Sequence, residues 1–195
     1  MEKAFGHEKV SVAAHAAASE KAAWMARWTI QKFVGDFPGM TPREIMDSGV
    51  KPYESLELEG NCLLNCGINS IIWKAVNGGL TSPLNATYGC IGVGDSTTAA
   101  SASQTGLQAS SNYLWVVATS VTVGSSQQMV VVANFSSGQA NYVWNEICAG
   151  VAPSGLPSAS AAPPGSGTAL NRLVSTMGTK ASGTTWTATL TVSLQ

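Results

Sequence analysis

The amino-acid sequence predicts a mainly β protein: an antiparallel β-sandwich, of jelly-roll or immunoglobulin-like type, with one packed helix and an extended, partly helical N-terminal arm. Three observations predict this fold. The last strand alternates apolar and hydroxyl side chains, the chain beyond residue 85 consists of strand and turn patterns, and only residues 62–77 combine helical spacing with a clear stop. We expect two parts, an arm of residues 1–53 and a body of residues 54–195.

The predicted arm contains three short elements. Residues 8–26 are rich in alanine, which favours a helix, but they lack the apolar stripe that would stabilise one in water. Residues 28–34 favour a short strand. Thr41 followed by Pro42 and an early acidic residue is typical of a helix start, because threonine caps and proline fits the first turn.

The predicted body begins with a strand and a helix. Residues 54–59 alternate leucine with polar side chains, which predicts an edge strand. Residues 62–77 place apolar side chains at helical spacing, and Gly78 with Gly79 ends the pattern. The apolar positions of this predicted helix are Leu64, Ile68, Ile71, Ile72, Ala75 and Val76.

The rest of the body is predicted to be strands. Strand patterns cover residues 88–93, ending in a Gly-x-Gly turn, and then 113–123, 127–135, 141–148 and 170–177. The final strand places one apolar face against the core and leaves a hydroxyl face wet or against a neighbour, which is typical of an antiparallel sheet. Its apolar face is Trp186, Ala188, Leu190, Val192 and Leu194. Residues 150–167 form a long Pro/Gly/Ser/Ala loop, typical of a contact loop or a flexible tip.

Charge is scarce and concentrated near the start of the chain. Charged residues make up 11% of the sequence, whereas about 25% is usual. Residues 1–60 carry sixteen of the charged side chains, and only five follow. The net charge of −1 does not suggest a nucleic-acid binder or a polybasic membrane surface, so we expect no nucleic-acid partner and no membrane partner. A surface with so few charges has marginal solubility alone, which favours a chain covered by partners.

No constellation of catalytic residues is present, and we predict that the protein is not an enzyme. Both histidines, His7 and His15, precede the body. Asp95 and Glu146 are the only acids beyond residue 60, and two carboxylates can form a glycosidase pair. Carboxylates in so apolar a chain are more often turn formers or ion-pair partners, here for Arg172 or Lys180. No Gly-x-Ser-x-Gly elbow occurs.

Two further motifs have competing interpretations. Gly92 and Gly94 followed by Asp95 suggest a phosphate-binding loop, but the third glycine of that motif is missing. We predict instead a tight turn in which Asp95 accepts hydrogen bonds from nearby backbone amides. Cys62 and Cys66, four residues apart, form half of a metal site or are simply small buried side chains. The second reading is favoured, and we predict no metal and no cofactor.

Aromatic side chains in the body are either core or a carbohydrate-stacking platform. They are Tyr113, Trp115, Tyr142, Trp144 and Trp186. Because they lie on predicted strands at alternating positions, core is the expected role. We therefore assign turn or structural roles, and no role in binding, to a set of six residues. They are Gly92, Gly94, Asp95, Trp144, Arg172 and Trp186.

Several short motifs, taken together, resemble a group of tailed-bacteriophage virion proteins, described as capsid decoration (cement) proteins or as minor tail proteins. The likeness covers about residues 54–195, matches the arm less well, and departs at the long loop 150–167. The motifs are Glu59-Gly60-Asn61, Ile91-Gly92-Val93-Gly94-Asp95-Ser96-Thr97-Thr98-Ala99, Gln104-Thr105-Gly106-Leu107, Ala140-Asn141-Tyr142-Val143-Trp144-Asn145-Glu146, Leu170-Asn171-Arg172 and Met177-Gly178-Thr179-Lys180-Ala181-Ser182-Gly183-Thr184-Thr185-Trp186.

The resemblance implies a β-sandwich on the surface of a phage capsid, assembled in the host cytoplasm and bridging major capsid protein subunits. It also implies a symmetric oligomer, typically a homotrimer at a threefold junction. A minor tail or baseplate protein and a carbohydrate-binding receptor module are the alternatives. We expect aromatic side chains of the arm to anchor in apolar pockets of the partner, namely Phe5, Trp24, Trp28, Phe33 and Phe37.

Overall fold

The computed structural model describes residues 24–60, 62–124, 127–153, 156–165 and 167–194. The fold is mainly β, as predicted, and nine antiparallel strands lie in a curled sheet in the order β2-β1-β9-β6-β5-β4-β7-β8-β3. The strands are β1 Trp24–Val34, β2 Glu54–Glu59, β3 Cys62–Leu63, β4 Gly89–Gly94, β5 Tyr113–Val123, β6 Gln128–Phe135, β7 Val143–Val151, β8 Thr168–Thr179 and β9 Thr184–Leu194. The helices are α1 Pro42–Asp47, α2 Asn65–Gly67, a π-helical turn Ile68–Ile72 and α3 Trp73–Val76.

Strand β5 divides the sheet into two wings. Its first half pairs with β4 and its second half with β6, and the register shifts between Ala118 and Ser120. We call β2, β1, β9 and β6 the first wing, and β4, β7, β8 and β3 the second wing. A bulge of this kind bends a strand, which lets the two wings face one core. Both wings contribute to that core, including Trp28, Ile30, Ile91, Val93, Val131, Phe135, Trp144, Ile147, Trp186 and Leu190.

The second wing is covered on its other face as well. A second apolar cluster joins β4, β7 and β8 to the loop between β4 and β5 and to the chain after β7. All six residues of β4 are consequently buried. The cluster consists of Leu64, Cys90, Leu107, Trp115, Cys148, Ala152 and Ala169.

The predicted boundary between arm and body, at residue 53, is corrected by the position of β1. This strand lies between β2 and β9, paired with β9 from Trp24 to Val34. Its residues Trp28 and Ile30 are fully buried in the shared core, so the chain from residue 24 onward belongs to the sheet. Residues 1–23, which include most of the predicted arm helix at 8–26, lie outside the described residues.

Local predictions were mostly confirmed. Helix α1 begins after Thr41 with a complete capping box, in which Thr41 and Glu44 exchange hydrogen bonds. Residues 54–59 form a strand at the edge of the sheet, and 113–123 form β5. The helix predicted at 62–77 starts later, at Asn65, because Cys62 and Leu63 pair with β8.

The hydroxyl face of β9 differs in part from expectation. On its apolar face Trp186, Ala188, Leu190 and Val192 pack in the core, as predicted. On the opposite face Thr185 and Thr187 are also buried. The loop after β1 covers this end, since the Thr185 hydroxyl donates to the Gly35 carbonyl and accepts from the Phe37 amide. Part of the face predicted to meet water or a neighbour is therefore occupied by the chain itself.

Candidate functional site

An ion pair is buried in the second wing. Glu146 on β7 and Arg172 on β8 point to the face that carries the second apolar cluster, and Arg172 Nε donates to Glu146 Oε2 at 2.7 Å. Both side chains are 0% exposed. Of the roles left open for Glu146, turn former or ion-pair partner, the structure shows an ion pair with Arg172, and its burial makes it part of the framework.

The remaining polar atoms of this pair bind the loop between β4 and β5. The Glu146 carboxylate accepts from the backbone amides of Gln108 and Ala109, the latter at 2.8 Å. Arg172 donates to the Gln104 side-chain oxygen at 3.0 Å and to the Thr98 carbonyl at 2.9 Å. A buried pair is stable only when its other hydrogen-bonding groups are satisfied, and here the loop satisfies them.

We call residues 96–112 the neutral loop, because they contain no ionisable side chain. Besides the ion pair, three backbone hydrogen bonds hold it, from the Asn65 amide to the Ala102 carbonyl, from the Leu107 amide to the Ala161 carbonyl and from the Asp95 amide to the Asn112 carbonyl. Most of its other side chains are exposed. The loop therefore presents an uncharged surface of serine, threonine and alanine on a fixed backbone.

The Gly92-x-Gly94 motif is not the predicted turn. Both glycines lie within β4, which is fully buried. A Cβ on Gly92 would overlap the indole of Trp115, and a Cβ on Gly94 would overlap the Glu146 carboxylate. The glycines therefore make room for a tryptophan and for the ion pair. Asp95 follows the strand and accepts from the Asn112 side chain at 2.7 Å, not from backbone amides as predicted.

A second inward-facing cation lies in the first wing. Lys32 on β1 is 3% exposed and donates to the Met177 carbonyl at 2.7 Å and to Glu54 of β2 at 2.9 Å. Its ammonium group sits 4.2 Å from the centre of the Trp186 ring, close enough for a cation–π contact. The Glu54 side chain is 44% exposed, so this pair is open to water on one side.

Lys180 is a third buried cation. It donates to the Ser136 carbonyl and to the Asn141 side-chain oxygen, both at 2.8 Å. Burial lowers the pKa of Lys180 to about 8, and the negative charge of Asp36 opposes this shift. The side chain ties the turn after β6 to the start of the β8–β9 connection, and its hydrogen-bond acceptors are neutral.

Three tryptophans of the sheet, Trp115, Trp144 and Trp186, are core residues, as predicted. Trp115 and Trp144 are 0% exposed and Trp186 is 1% exposed. Trp144 packs edge-on against Phe135 and Trp186, with ring centres 4.7 and 4.9 Å apart. These three rings are not available as a stacking platform for a sugar.

Two predicted partner anchors are corrected by their burial. Trp28 and Phe33 are 0% exposed within the chain's own fold, so neither inserts into a partner pocket. Trp24 and Phe37 are half-buried. Phe5 lies outside the described residues.

Burial makes three of the four cysteines poor nucleophiles. All four are free thiols, and burial raises the pKa of Cys66, Cys90 and Cys148, which keeps them protonated. In the part of the chain that the structure describes, no three metal-binding side chains cluster together. The same part contains no helix of the length and apolarity needed to cross a bilayer.

Charge beyond residue 60 is almost absent from the described surface. Glu146, Arg172 and Lys180 are buried, and Asp95 is half-buried, which leaves Lys74 as the exposed charge among these five. Charges closer to the start, such as Arg43 and Glu57, are exposed. The described surface is thus polarised into a charged part from residues 24–60 and a neutral part from the rest.

Comparison with known proteins gives no relative: no family model, no curated protein and no solved structure matches this chain. Sequence reasoning missed framework residues, among them the side chains of Lys32 and Gln104. Lys32 was detectable, because it shares strand parity with the buried Trp28 and Ile30 and therefore points inward. Gln104 lies in an irregular loop, where no periodicity reveals which side chain turns inward.

Proposed function

We propose that the protein is a capsid decoration (cement) protein of a tailed bacteriophage, which binds the outer shell and bridges neighbouring major capsid protein subunits. The observation that carries this proposal is the neutral loop, an exposed and uncharged surface fixed in place by a buried ion pair. The motif resemblance supports the same assignment.

A fixed neutral surface suits permanent contact. Charged residues are depleted at the centre of protein interfaces, because their water must be removed on binding. A backbone that is already ordered loses little conformational entropy when it binds. The neutral loop has both properties, since its internal hydrogen bonds to Arg172 and Glu146 exist before any partner arrives.

The proposal also includes an architecture, an oligomeric state and a non-enzymatic role. The two wings, facing one core across β5, act as the two layers of a β-sandwich. Copies associate as a homotrimer at a threefold position of the shell, and residues 1–23, with Phe5, supply contacts outside the body. The protein is not an enzyme on this account, because the ionisable side chains of the second wing serve its framework.

The test places charge on the neutral loop. Full-length protein carrying Ala100→Glu and Ser103→Glu, both exposed positions, is mixed with capsids that lack the protein, and bound copies are counted after sedimentation. We expect binding to be lost, because two carboxylates would be desolvated in the contact. The matched control is Ser48→Glu with Ser55→Glu, two exposed positions that receive the same groups, with the same change in net charge, on the charged part of the surface.

Undiminished capsid binding by the Ala100→Glu, Ser103→Glu protein would contradict the proposal. Copy number tests the location: hundreds of copies in each particle support the shell, whereas a handful indicate a minor tail or baseplate protein. A carbohydrate-binding module would instead depend on an exposed ring, and Trp73, 57% exposed, is the position to replace in a glycan-binding assay.

A further inference from the structure

A cleft opens where the two ends of the curled sheet meet. Strand β2 is one edge of the sheet and β8 lies next to the other edge, yet Lys32 of β1 contacts both of them. Its ammonium group donates to Glu54 of β2 at 2.9 Å and to the Met177 carbonyl of β8 at 2.7 Å. The cleft between the two strands has a volume of about 420 Å³, which is within the usual range for small-molecule sites.

The floor of this cleft is a fixed part of the fold. Lys32, which is 3% exposed, and the Trp186 ring beneath its ammonium group both line the cleft. Gly178 of β8 leaves room for them, because a Cβ there would lie 3.1 Å from Lys32 Nζ and 3.6 Å from the Trp186 ring. Since the walls are strands, a ligand would meet a site that is already formed.

The walls of the cleft carry polar groups with unused hydrogen-bonding capacity. Glu54 Oε2 accepts from Lys32, whereas Glu54 Oε1 accepts from no group among the described residues. On the opposite wall Thr176 and Thr179 are exposed, and within the same part of the chain their hydroxyl groups make no hydrogen bond. The cleft therefore offers one carboxylate oxygen as an acceptor and two hydroxyl groups that both donate and accept.

The charge balance of the cleft selects a neutral ligand. Lys32 and Glu54 lie 2.9 Å apart and neutralise each other. An anion would be repelled by the carboxylate, and a cation would be repelled by the ammonium group. A ligand without charge that donates and accepts hydrogen bonds avoids both costs. A polyhydroxy compound has this chemistry.

Tyr53 adds an aromatic ring at the mouth. It is 52% exposed and lines the cleft, and its hydroxyl accepts from Trp186 Nε1 at 3.1 Å, which holds the ring in place. The face of an aromatic ring is electron-rich, so it attracts the C–H groups on the apolar face of a sugar. A fixed ring beside a carboxylate and two hydroxyl groups therefore favours a saccharide among polyhydroxy compounds.

We infer that the cleft between β2 and β8 binds a neutral saccharide unit, which stacks on Tyr53 and donates a hydroxyl proton to Glu54 Oε1. The hydroxyl groups of Thr176 and Thr179 bind the rest of the sugar from the opposite wall. The inference goes beyond the proposed function, because the cleft contains no residue of the neutral loop and binding here needs no capsid. It also places the sugar away from Trp73.

The test titrates purified full-length protein with the methyl glycosides of glucose, galactose, mannose and N-acetylglucosamine. The Trp186 indole N–H signal in the proton–nitrogen NMR spectrum reports on the cleft, because this group donates to Tyr53 at its mouth. We expect at least one glycoside to shift this signal in a saturable way. Acetate and methylammonium, which carry charge, should cause no saturable shift.

Variants then locate the binding, with affinity measured by calorimetry so that the readout does not depend on the Trp186 signal. Tyr53→Ala removes the stacked ring and should weaken binding about tenfold. Thr176→Arg fills the mouth from the opposite wall, at an exposed position, and should abolish binding. Trp73→Ala, the matched control, removes an exposed ring outside the cleft and should leave the affinity unchanged.

The inference is overturned if no glycoside binds, or if acetate or methylammonium binds more tightly than the glycosides. It is also overturned if either Tyr53→Ala or Thr176→Arg binds as tightly as wild type, or if Trp73→Ala abolishes binding, because the sugar then lies elsewhere. The Ala100→Glu, Ser103→Glu protein should bind the glycoside as wild type does even where it loses capsid binding, which separates the two proposals.

Discussion

The two wings each contain a cross-strand pair of arginine and glutamate, in opposite surroundings. In the second wing Arg172 and Glu146 approach to 2.7 Å with both side chains 0% exposed. In the first wing Arg27 and Glu59 are 3.4 Å apart, with side chains 56% and 80% exposed. The pair of Lys32 and Glu54, 4% and 44% exposed, lies between these extremes.

The difference shows that a charged pair can be buried in this fold only where other groups satisfy its hydrogen bonds. An exposed pair gains little, because water screens it and both side chains lose freedom. A fully buried pair first loses its hydration, and it is tolerated only with every remaining hydrogen bond in place. In the second wing those hydrogen bonds come from the neutral loop, so the ion pair orders the surface above it. The charged residues there are thus framework, and the exposed residues are neutral.

The largest expected effect comes from breaking the buried pair. Arg172→Met removes the cation and leaves the Glu146 carboxylate buried with only its two backbone amide donors. We expect the free energy of unfolding to fall by about 3–5 kcal/mol, the usual cost of an unpaired buried charge. Equilibrium unfolding in urea measures it. Arg27→Met, the same substitution in the exposed pair, is the matched control and should cost less than about 1 kcal/mol.

A double variant sharpens this result. Arg172→Met with Glu146→Leu removes both charges, so the double variant should be more stable than Arg172→Met alone. Arg172→Met alone removes the tethers to Thr98 and Gln104, whereas the double variant also removes those to Gln108 and Ala109. The backbone amides of the neutral loop should therefore exchange faster in Arg172→Met and fastest in the double variant. Equal losses for Arg172→Met and Arg27→Met would show that burial does not control the strength of these pairs.

The sequence predicted more of the sheet than of the buried ion pair and its hydrogen-bond network, and the reason is physical. Strict alternation in residues 184–194 and the threonine cap at Thr41 are local signals, and both were confirmed. The inclusion of residues 24–34 in the body was missed, because strand pairing between β1 and β9 joins residues about 160 positions apart and leaves no local trace. The ends of the ion-pair network at Thr98 and Gln104 were missed because they depend on how an irregular loop folds back.

The next effect concerns the space that glycine leaves in β4. Gly92→Ala places a methyl group against the Trp115 indole in a strand with no free volume. Overpacking of this kind costs about 1–3 kcal/mol. Thermal and urea unfolding of the variant should show this loss. Gly138→Ala is the control, since a Cβ there meets nothing within 4 Å and φ is not positive, and its stability should be nearly unchanged.

Breaking the half-buried pair of Lys32 and Glu54 should lower the free energy of unfolding by an intermediate amount. Lys32→Met preserves the length of the side chain but leaves the Met177 carbonyl without its donor and removes the contact with the Trp186 ring. We expect a loss of about 1–3 kcal/mol, the usual cost of an unsatisfied buried polar group. Glu54 can turn to water, so the loss should be smaller than for Arg172→Met. A loss larger than that of Arg172→Met would reverse the ranking by burial.

Lys180 supplies an effect confined to alkaline pH. Its pKa is about 8 in the folded chain and 10.5 for an unperturbed lysine, so between these values the unfolded chain binds more protons. The free energy of unfolding should therefore rise with pH across this range. Wild type and Lys180→Met are unfolded in urea at pH 7 to 11, and wild type should gain stability relative to the variant. Parallel curves would contradict the lowered pKa.

The smallest effect is the coupling within the exposed pair. A double-mutant cycle with Arg27→Met and Glu59→Gln should give about 0.2–1 kcal/mol at low salt, and less at high salt because the exposed charges are screened. The same cycle on Arg172 and Glu146 should be nearly insensitive to salt, because no ions reach the pair. If salt weakens both couplings equally, water reaches the second wing, and the neutral loop is not the closed, fixed surface on which the proposed contact with the capsid depends.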